Sequence, residues 1–196
     1  MSDAPPLVVL LRHGDTEWSL AGRHTGRTDV PLVDTGRDAA LSLQPLLAGV
    51  RFAKVLSSPL SRARETAELA GLTIDATDPD LSEWDYGDYE GITTEQIRAQ
   101  RPGWDLWTDG CPRGETAADV ATRAARVLDR ITGAGGPVAL IAHGHLLRAL
   151  AVRWCGLAPE TGGILHLDTA TVSLLGWDRE RPVVRRWNAR QPVDLP

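Results

Sequence analysis

Two histidines of the sequence follow the same kind of apolar segment. His13 comes directly after residues 7–12, and His143 comes directly after residues 137–142. Short apolar runs bounded by glycine are typical of buried strands in a parallel or mixed sheet, and ligands bind at the carboxyl ends of such strands. Neutral imidazole is a competent nucleophile. The repeated pattern therefore favours a ligand site with two histidines, although each histidine alone could equally be a core residue.

Two arginines accompany these histidines and could bind an anion. Arg12 ends the first predicted strand, and Arg62 lies in the first turn of the helix predicted after the second strand. Arginine binds phosphate oxygens in pairs and does not titrate. Phosphoryl transfer needs such donors around the transferred group, and a leaving alcohol needs a proton from a nearby acid. The acidic segment after residue 80, with Glu83, Asp85 and Glu90, can supply that acid.

Alternating strands and helices must position these residues. Strands are predicted at residues 7–12, 52–56 and 137–142, a terminal hairpin at 170–177 and 182–187, and helices at 35–49, 61–70, 93–100, 115–131 and 146–155. This order predicts a three-layer α/β/α sandwich with a mixed, mostly parallel sheet. No linker stands out, so we expect a single domain over residues 1–196, with an excursion at about 75–114 that caps the sheet edge.

Composition excludes several classes of protein. The net charge of −5 gives no overall attraction to nucleic acid or to an anionic membrane. Cys111 and Cys155 are the only cysteines and do not make a disulfide framework. The sequence has neither the pattern of a signal peptide nor an apolar run of transmembrane length. We therefore expect a cytoplasmic protein that binds neither nucleic acid nor membranes.

Four ordered segments resemble the histidine phosphatase superfamily, also called phosphoglycerate-mutase-like. LLRHGDTEW is similar to its RHG signature, SSPLSRARETA to its second motif, LSEWDYGDYEG to the segment that carries its acid, and IAHGHLLRAL to its second-histidine motif. A single RHG tripeptide is a weak signal, but four motifs in the family's order over residues 7–151 are a specific one. The resemblance implies the phosphoglycerate-mutase-like version of the predicted sandwich.

The resemblance also implies a role for each matching residue. His13 would be the phosphorylated nucleophile. The phosphoryl oxygens would be held by Arg12, Arg62 and His143. Glu83 would protonate the leaving oxygen and then activate the hydrolytic water, although the choice of Glu83 over neighbouring acids depends on the motif match.

Further residues of the first motif imply contacts with the phosphate. Thr25 and Gly26 belong to the loop that would close on the phosphate, and both are predicted to bind substrate. Ser19 stands where mutases of the family usually have asparagine, so one phosphate contact would be weaker or mediated by water. The family needs no metal, and we expect no cofactor. The remaining histidines are expected to be ordinary residues: His24, His145 and His166.

The resemblance extends furthest to the small-molecule phosphatase branch, which includes acid phosphatases and sedoheptulose-bisphosphatase-like enzymes. EWSLAGRHTGRTDVPL and WTDGCPRGET belong to that match. It implies a phosphomonoesterase that acts on a small phosphorylated metabolite, a sugar phosphate or bisphosphate, through a phosphohistidine. Five residues are predicted to shape the second half of the pocket: Arg23, Arg27, Arg113, Trp104 and Trp107.

Three other functions stay open at this point. A phosphoglycerate mutase would use the same chemistry but would protect its phosphoenzyme from water. A metal-dependent hydrolase could use His13, His143 and His145, but no carboxylate cluster completes a ligand set. A non-catalytic module could bind a phosphorylated ligand on the same fold. The sequence does not identify the substrate, and the terminal hairpin could pair with a second copy to form a homodimer.

Overall fold

The computed structural model describes residues 6–190 and contains a six-stranded sheet. Its strands are β1 (Val8–Arg12), β2 (Lys54–Ser57), β3 (Ala76–Thr77), β4 (Val138–Ala142), β5 (Val172–Asp178) and β6 (Arg181–Ala189). They lie in the order β3-β2-β4-β1-β5-β6. The pairs among β1, β2, β3 and β4 are parallel, whereas β5 is antiparallel to both of its neighbours. The predicted mixed, mostly parallel sheet is confirmed.

Helices cover both faces of this sheet. The described helices are α1 (Glu17–Leu20), α2 (Asp34–Leu41), α3 (Gln44–Leu47), α4 (Ser61–Leu69), α5 (Thr94–Gln100), α6 (Leu106–Asp109), α7 (Ala117–Ile131) and α8 (Gly144–Trp154). Side chains alternate between the faces of a strand. Val8 and Leu10 accordingly belong to one core cluster with α7 and α8, and Val9 and Leu11 to another with α3 and α4. The structure therefore has the predicted three layers.

Some predicted boundaries are wrong. The helix predicted at 35–49 is broken into α2 and α3, because Pro45 has no N–H and cannot continue the hydrogen bonds of α2. Val33, rather than Thr35, is the N-cap of α2. The helix predicted from residue 146 begins at Gly144, which places His143 at its N-cap. Two short helices, α1 and α6, and the two-residue strand β3 were not predicted.

The register of the parallel strands brings their carboxyl ends to one edge of the sheet. The backbone N–H of His13 donates to the carbonyl of Ala142, at the end of the neighbouring β4. Ser58 follows β2, and its backbone N–H donates to the carbonyl of Ile141, which also lies in β4. As a result, His13, Ser58 and His143 lie side by side.

The segment 75–114 contains β3, α5 and α6 and contributes large aromatic side chains to the core beside α7 and α8. Trp84, Tyr86 and Trp104 are each at most 2% exposed, so this segment is firmly packed. No helix within residues 6–190 combines the length and the apolar character needed to cross a membrane.

Candidate active site

His13 lies at the wall of a cavity of about 270 Å³ and is 4% exposed. Its Nδ1 lies 2.7 Å from the carbonyl oxygen of Gly14. Because a carbonyl can only accept, Nδ1 carries the proton and Nε2 keeps its lone pair. Burial, followed by the guanidiniums of Arg62 and Arg12, holds the pKa of His13 well below 6.5. His13 is therefore neutral at physiological pH, as a nucleophile must be.

Arg12 lines the same cavity and has an unused donor. Its Nη1 donates to the carbonyl of Leu167, while its buried Nε has no hydrogen-bond partner among the described residues. Gly144 gives the guanidinium room, because a Cβ there would stand 3.3 Å from Cζ of Arg12. A buried donor without a partner is unfavourable until a ligand supplies an acceptor. This arrangement fits an anionic oxygen beside His13.

Arg62 and His143 lie behind His13, and neither lines the cavity. Both are fully buried. The rings of His13 and His143 meet edge to face with centroids 5.0 Å apart. Arg62 Nε donates to Nδ1 of His143 at 3.2 Å, so the proton of the neutral ring is on Nε2. That proton is donated to Oγ of Ser58 at 2.7 Å.

Arg62 also fixes the loop that was predicted to close on the phosphate. Its remaining nitrogens donate to three backbone carbonyls, those of Thr25, Gly26 and Thr28. Thr25 lines the cavity, whereas Gly26 does not. Gly26 instead permits close packing, because a Cβ there would stand 2.5 Å from the carbonyl oxygen of Trp84. Arg62 therefore joins this loop to His143.

Glu83 lines the cavity and is 7% exposed. Its Oε1 accepts hydrogen bonds from the backbone N–H groups of Trp84 and Leu146, both at 2.9 Å. Its Oε2 accepts one from the N–H of His145 at 3.0 Å. Glu83 thus satisfies two of the free N–H groups at the N-terminus of α8, where a carboxylate is stabilised. With a single backbone partner, Oε2 is the oxygen better placed to hold a proton.

The neighbouring acids are occupied elsewhere. Asp85 forms an ion pair with Arg27 at 2.8 Å. The carboxylate of Glu90 accepts from the backbone N–H groups of Gly26 and Thr28. Neither acid lines the cavity that holds His13. This geometry favours Glu83 among the three acids.

Ser19 lines the cavity, but its hydroxyl is used within α1. Its Oγ accepts from the backbone N–H of Thr16 at 2.9 Å, and Oγ of Thr16 accepts from the N–H of Ser19 at 3.1 Å. The pair forms a capping box. Ser19 therefore orders the turn that borders the cavity.

The second half of the cavity differs from the prediction. Of the five predicted residues, only Arg23 lines it. Arg27 is paired with Asp85, Arg113 is paired with Asp88, and Trp104 and Trp107 are buried in the core. The prediction overlooked several lining residues: His24, Tyr86, Thr94, His145 and Arg148. The position of His145 in the first turn after a strand-end histidine was the signal that could have identified it.

His24, Tyr86 and His145 form one wall of the cavity, which we call the imidazole wall. The hydroxyl of Tyr86 lies 2.6 Å from Nδ1 of His145, and the His24 and Tyr86 rings are 4.7 Å apart. Burial lowers the pKa of His24 to about 4, lowers that of His145 well below 6.5, and raises that of Tyr86 well above 10. All three rings are uncharged at physiological pH.

Within residues 6–190, no group of three histidine, cysteine or carboxylate side chains could hold a metal ion. The groups around His13 are a neutral nucleophile, a guanidinium with an unused donor, and a carboxyl group on the cavity wall. Together they have the chemistry needed to move a phosphoryl group from an alcohol to a ring nitrogen.

Comparisons with known proteins agree with this geometry. A model of the histidine phosphatase superfamily (branch 1) matches residues 8–190. An acid phosphatase of Mycobacterium tuberculosis is 43% identical over 195 residues, covering 95% of each chain. Sedoheptulose 1,7-bisphosphatase of Saccharomyces cerevisiae is 34% identical over 82% of this chain and 71% of its own. A solved structure of an open reading frame product of M. tuberculosis superposes with a TM-score of 0.89 at 40% identity, covering 93% of this chain and 96% of that one.

Proposed function

Because the chain belongs to the histidine phosphatase superfamily, we propose that it is a phosphomonoesterase that hydrolyses sugar phosphates or bisphosphates through a phosphohistidine. The observation that carries this proposal is the neutral His13 beside the unpaired Nε of Arg12, in a cavity that Glu83 also lines. The names of the relatives, acid phosphatase and sedoheptulose 1,7-bisphosphatase, agree with small phosphorylated substrates.

The reaction proceeds in two balanced steps. In the first, Nε2 of His13 attacks phosphorus, the bond from phosphorus to the leaving oxygen breaks, and protonated Glu83 gives its proton to that oxygen. In the second, water attacks the phosphohistidine, the carboxylate of Glu83 takes a proton from that water, and the phosphorus–nitrogen bond breaks. Inorganic phosphate leaves and His13 is restored. Arg12 stabilises the charge on the phosphoryl oxygens throughout.

Arg62 and His143 contribute from behind the nucleophile. Burial, with the guanidinium of Arg62 as the next cause, lowers the pKa of His13, which keeps the attacking nitrogen free of a proton. Arg62 and Ser58 together fix the ring of His143. The contacts predicted between phosphoryl oxygens and the side chains of Arg62 and His143 stay a prediction. They require both side chains to exchange their present hydrogen-bond partners when substrate binds.

The same proposal covers the organisation of the chain. We propose that residues 1–196 form one histidine phosphatase domain in which the segment 75–114 caps the site. We also propose a cytoplasmic enzyme whose ligand is a small phosphorylated molecule, with β6, the last strand in the sheet order, as the surface for a homodimer. Elution volume and light scattering of the purified chain test the oligomeric state.

Phosphate release by the wild type and by His13→Ala tests the function directly. The substrates are sugar phosphates and bisphosphates, with excess chelator present. We expect release without metal and a loss of at least about a thousandfold in His13→Ala. His166→Ala is the control, because that exposed residue pairs with Asp168 outside the cavity. Release that survives His13→Ala, or that requires a metal, contradicts the proposal.

The lifetime of the phosphoenzyme separates a phosphatase from a mutase. A labelled phosphohistidine should form on the wild type and disappear within the time of one turnover in water. An intermediate that persists until a second ligand is added would identify a mutase instead.

A further inference from the structure

Building on the proposed function, we propose that the imidazole wall binds the leaving group and prefers an uncharged group that carries hydroxyls, such as a sugar, over one that carries a carboxylate. This assigns His24, Tyr86 and His145 to substrate selection. None of the three has a part in the bond-making steps above.

The position of Glu83 places the leaving group against this wall. Oε2 of Glu83 must reach the oxygen that leaves, because it supplies the proton. The same Oε2 accepts from the backbone N–H of His145 and lies 3.8 Å from Nδ1 of its ring. His145 in turn contacts Tyr86, and the ring of Tyr86 packs at a tilt against that of His24. Whatever is attached to the leaving oxygen therefore lies along these three rings.

The imidazole wall offers no positive charge to an anionic leaving group. The imidazole wall is neutral at physiological pH, because burial lowers the pKa values of His24 and His145. The cations of this half lie beside the wall and are not part of it. Arg23 lies at the exposed rim. Arg148 donates from Nε and Nη2 to the carbonyls of Gly162 and Gly163.

The hydrogen-bonding groups of the wall suit hydroxyls. A neutral imidazole has one donor and one acceptor nitrogen, and a tyrosine hydroxyl both donates and accepts. The contact between the hydroxyl of Tyr86 and Nδ1 of His145 uses one hydrogen-bonding function of each group, so the wall keeps both a donor and an acceptor in either tautomer of His145. A sugar hydroxyl can donate to such acceptors, whereas a carboxylate cannot. An acceptor buried against a carboxylate would be left without a partner, which is costly.

The wall is held rigidly enough to discriminate. Trp104 meets His24 edge to face at 5.6 Å, and Trp107 lies 5.9 Å from His145. Arg148 stacks over Trp107 at 4.9 Å. Since both tryptophans are almost completely buried, the rings in front of them cannot move far to accommodate a different leaving group.

The test compares kcat/KM for three substrates. A pentose or hexose phosphate has a hydroxylated leaving group, 3-phosphoglycerate has a carboxylate on it, and p-nitrophenyl phosphate has neither. In the wild type we expect the sugar phosphate to exceed 3-phosphoglycerate by at least about tenfold, the value of one hydrogen bond. In His24→Phe and Tyr86→Phe, which keep a ring in place, the ratio of sugar phosphate to p-nitrophenyl phosphate should fall by about tenfold. His166→Phe should leave that ratio unchanged.

Other outcomes overturn the inference in distinguishable ways. If both ring variants keep the wild-type ratio, or if 3-phosphoglycerate is the better substrate, the wall does not select hydroxylated groups. The proposed function would still stand in that case, as long as hydrolysis of p-nitrophenyl phosphate depends on His13. If hydrolysis of p-nitrophenyl phosphate does not depend on His13, the proposed function fails and the inference fails with it.

Discussion

The two halves of the cavity are built in different ways. The phosphate half contains His13, Arg12 and the residues behind them. These residues lie at the ends of β1, β2 and β4, and backbone pairing fixes the positions of those strands. The leaving-group half is made of side chains from the loop after α1, the segment 81–91, the start of α5 and the first two turns of α8. Strand ends keep the chemistry in place, while residues on loops can change the substrate.

Glu83 stands between the two halves, and its removal has the largest expected effect. Glu83→Gln keeps the shape of the side chain but cannot supply a proton. The kcat/KM for sugar phosphates should fall by about 10²- to 10⁴-fold, and that for p-nitrophenyl phosphate much less, because p-nitrophenolate leaves without a proton and kcat/KM does not include hydrolysis of the phosphohistidine. Steady-state kinetics on both substrates measure the difference.

Asp85→Asn is the matched control for this prediction, because Asp85 is near in sequence but lies outside the cavity. It should behave like the wild type on both substrates. An equal loss of kcat/KM on both substrates in Glu83→Gln would show that Glu83 does not protonate the leaving oxygen and supports α8, through its bonds to the first N–H groups of that helix.

The stability of the leaving-group half should depend on pH through His24. Its pKa is about 4 in the folded chain and 6.5 in a model compound, so between these values the unfolded chain binds a proton that the folded chain does not. The free energy of unfolding is therefore highest above pH 6.5 as far as His24 is concerned. It decreases as the pH falls below 6.5, and the contribution of His24 stops changing below about pH 4. Between pH 6.5 and 5 the loss due to His24 is about 2 kcal/mol.

Urea unfolding at pH 7 and at pH 5 measures this loss. In His24→Phe the free energy of unfolding should change less between the two pH values than in the wild type. An identical pH dependence in wild type and His24→Phe would mean that His24 is not kept neutral by burial.

The difference between the halves also explains what could be predicted from the sequence. The apolar runs before His13 and His143 predict strands, and parallel strands must end together, so the phosphate half follows from local patterns. Arg62 was predicted on the correct helix, but its bonds to the carbonyls of Thr25, Gly26 and Thr28 depend on loop positions that no periodicity specifies.

The leaving-group half could not be predicted in the same way. Its members come from four separate segments and meet only through tertiary packing, as the contact of Tyr86 with His145 shows. Arg113 was a reasonable choice by residue type, but it is paired with Asp88 at the surface. Residue type alone does not tell which of many arginines faces a cavity, and in this chain only one of the 21 basic residues is a lysine.

Within the phosphate half, Ser58 is expected to act through His143. Ser58→Ala leaves the buried Nε2–H of His143 without its acceptor, so the ring can turn or change tautomer behind the nucleophile. We expect kcat to fall by about tenfold with little change in KM. Ser58→Thr, which keeps the hydroxyl, should recover most of kcat. A loss of folding stability without a change in kcat would limit Ser58 to a structural role.

The smallest expected effect belongs to the rim of the leaving-group half. Arg23 is exposed, lines the cavity and forms no ion pair among the described residues, so it can meet a second phosphate at the far end of a bisphosphate. Arg23→Ala should lower the preference for a bisphosphate over the matching monophosphate by about threefold, as expected of a solvated ion pair. Arg113→Ala is the matched control, because Arg113 is also an exposed arginine but lies outside the cavity, where it pairs with Asp88. Competition between the two substrates in one reaction measures the preference, and an equal shift in both variants would mean that general surface charge, not Arg23, sets it.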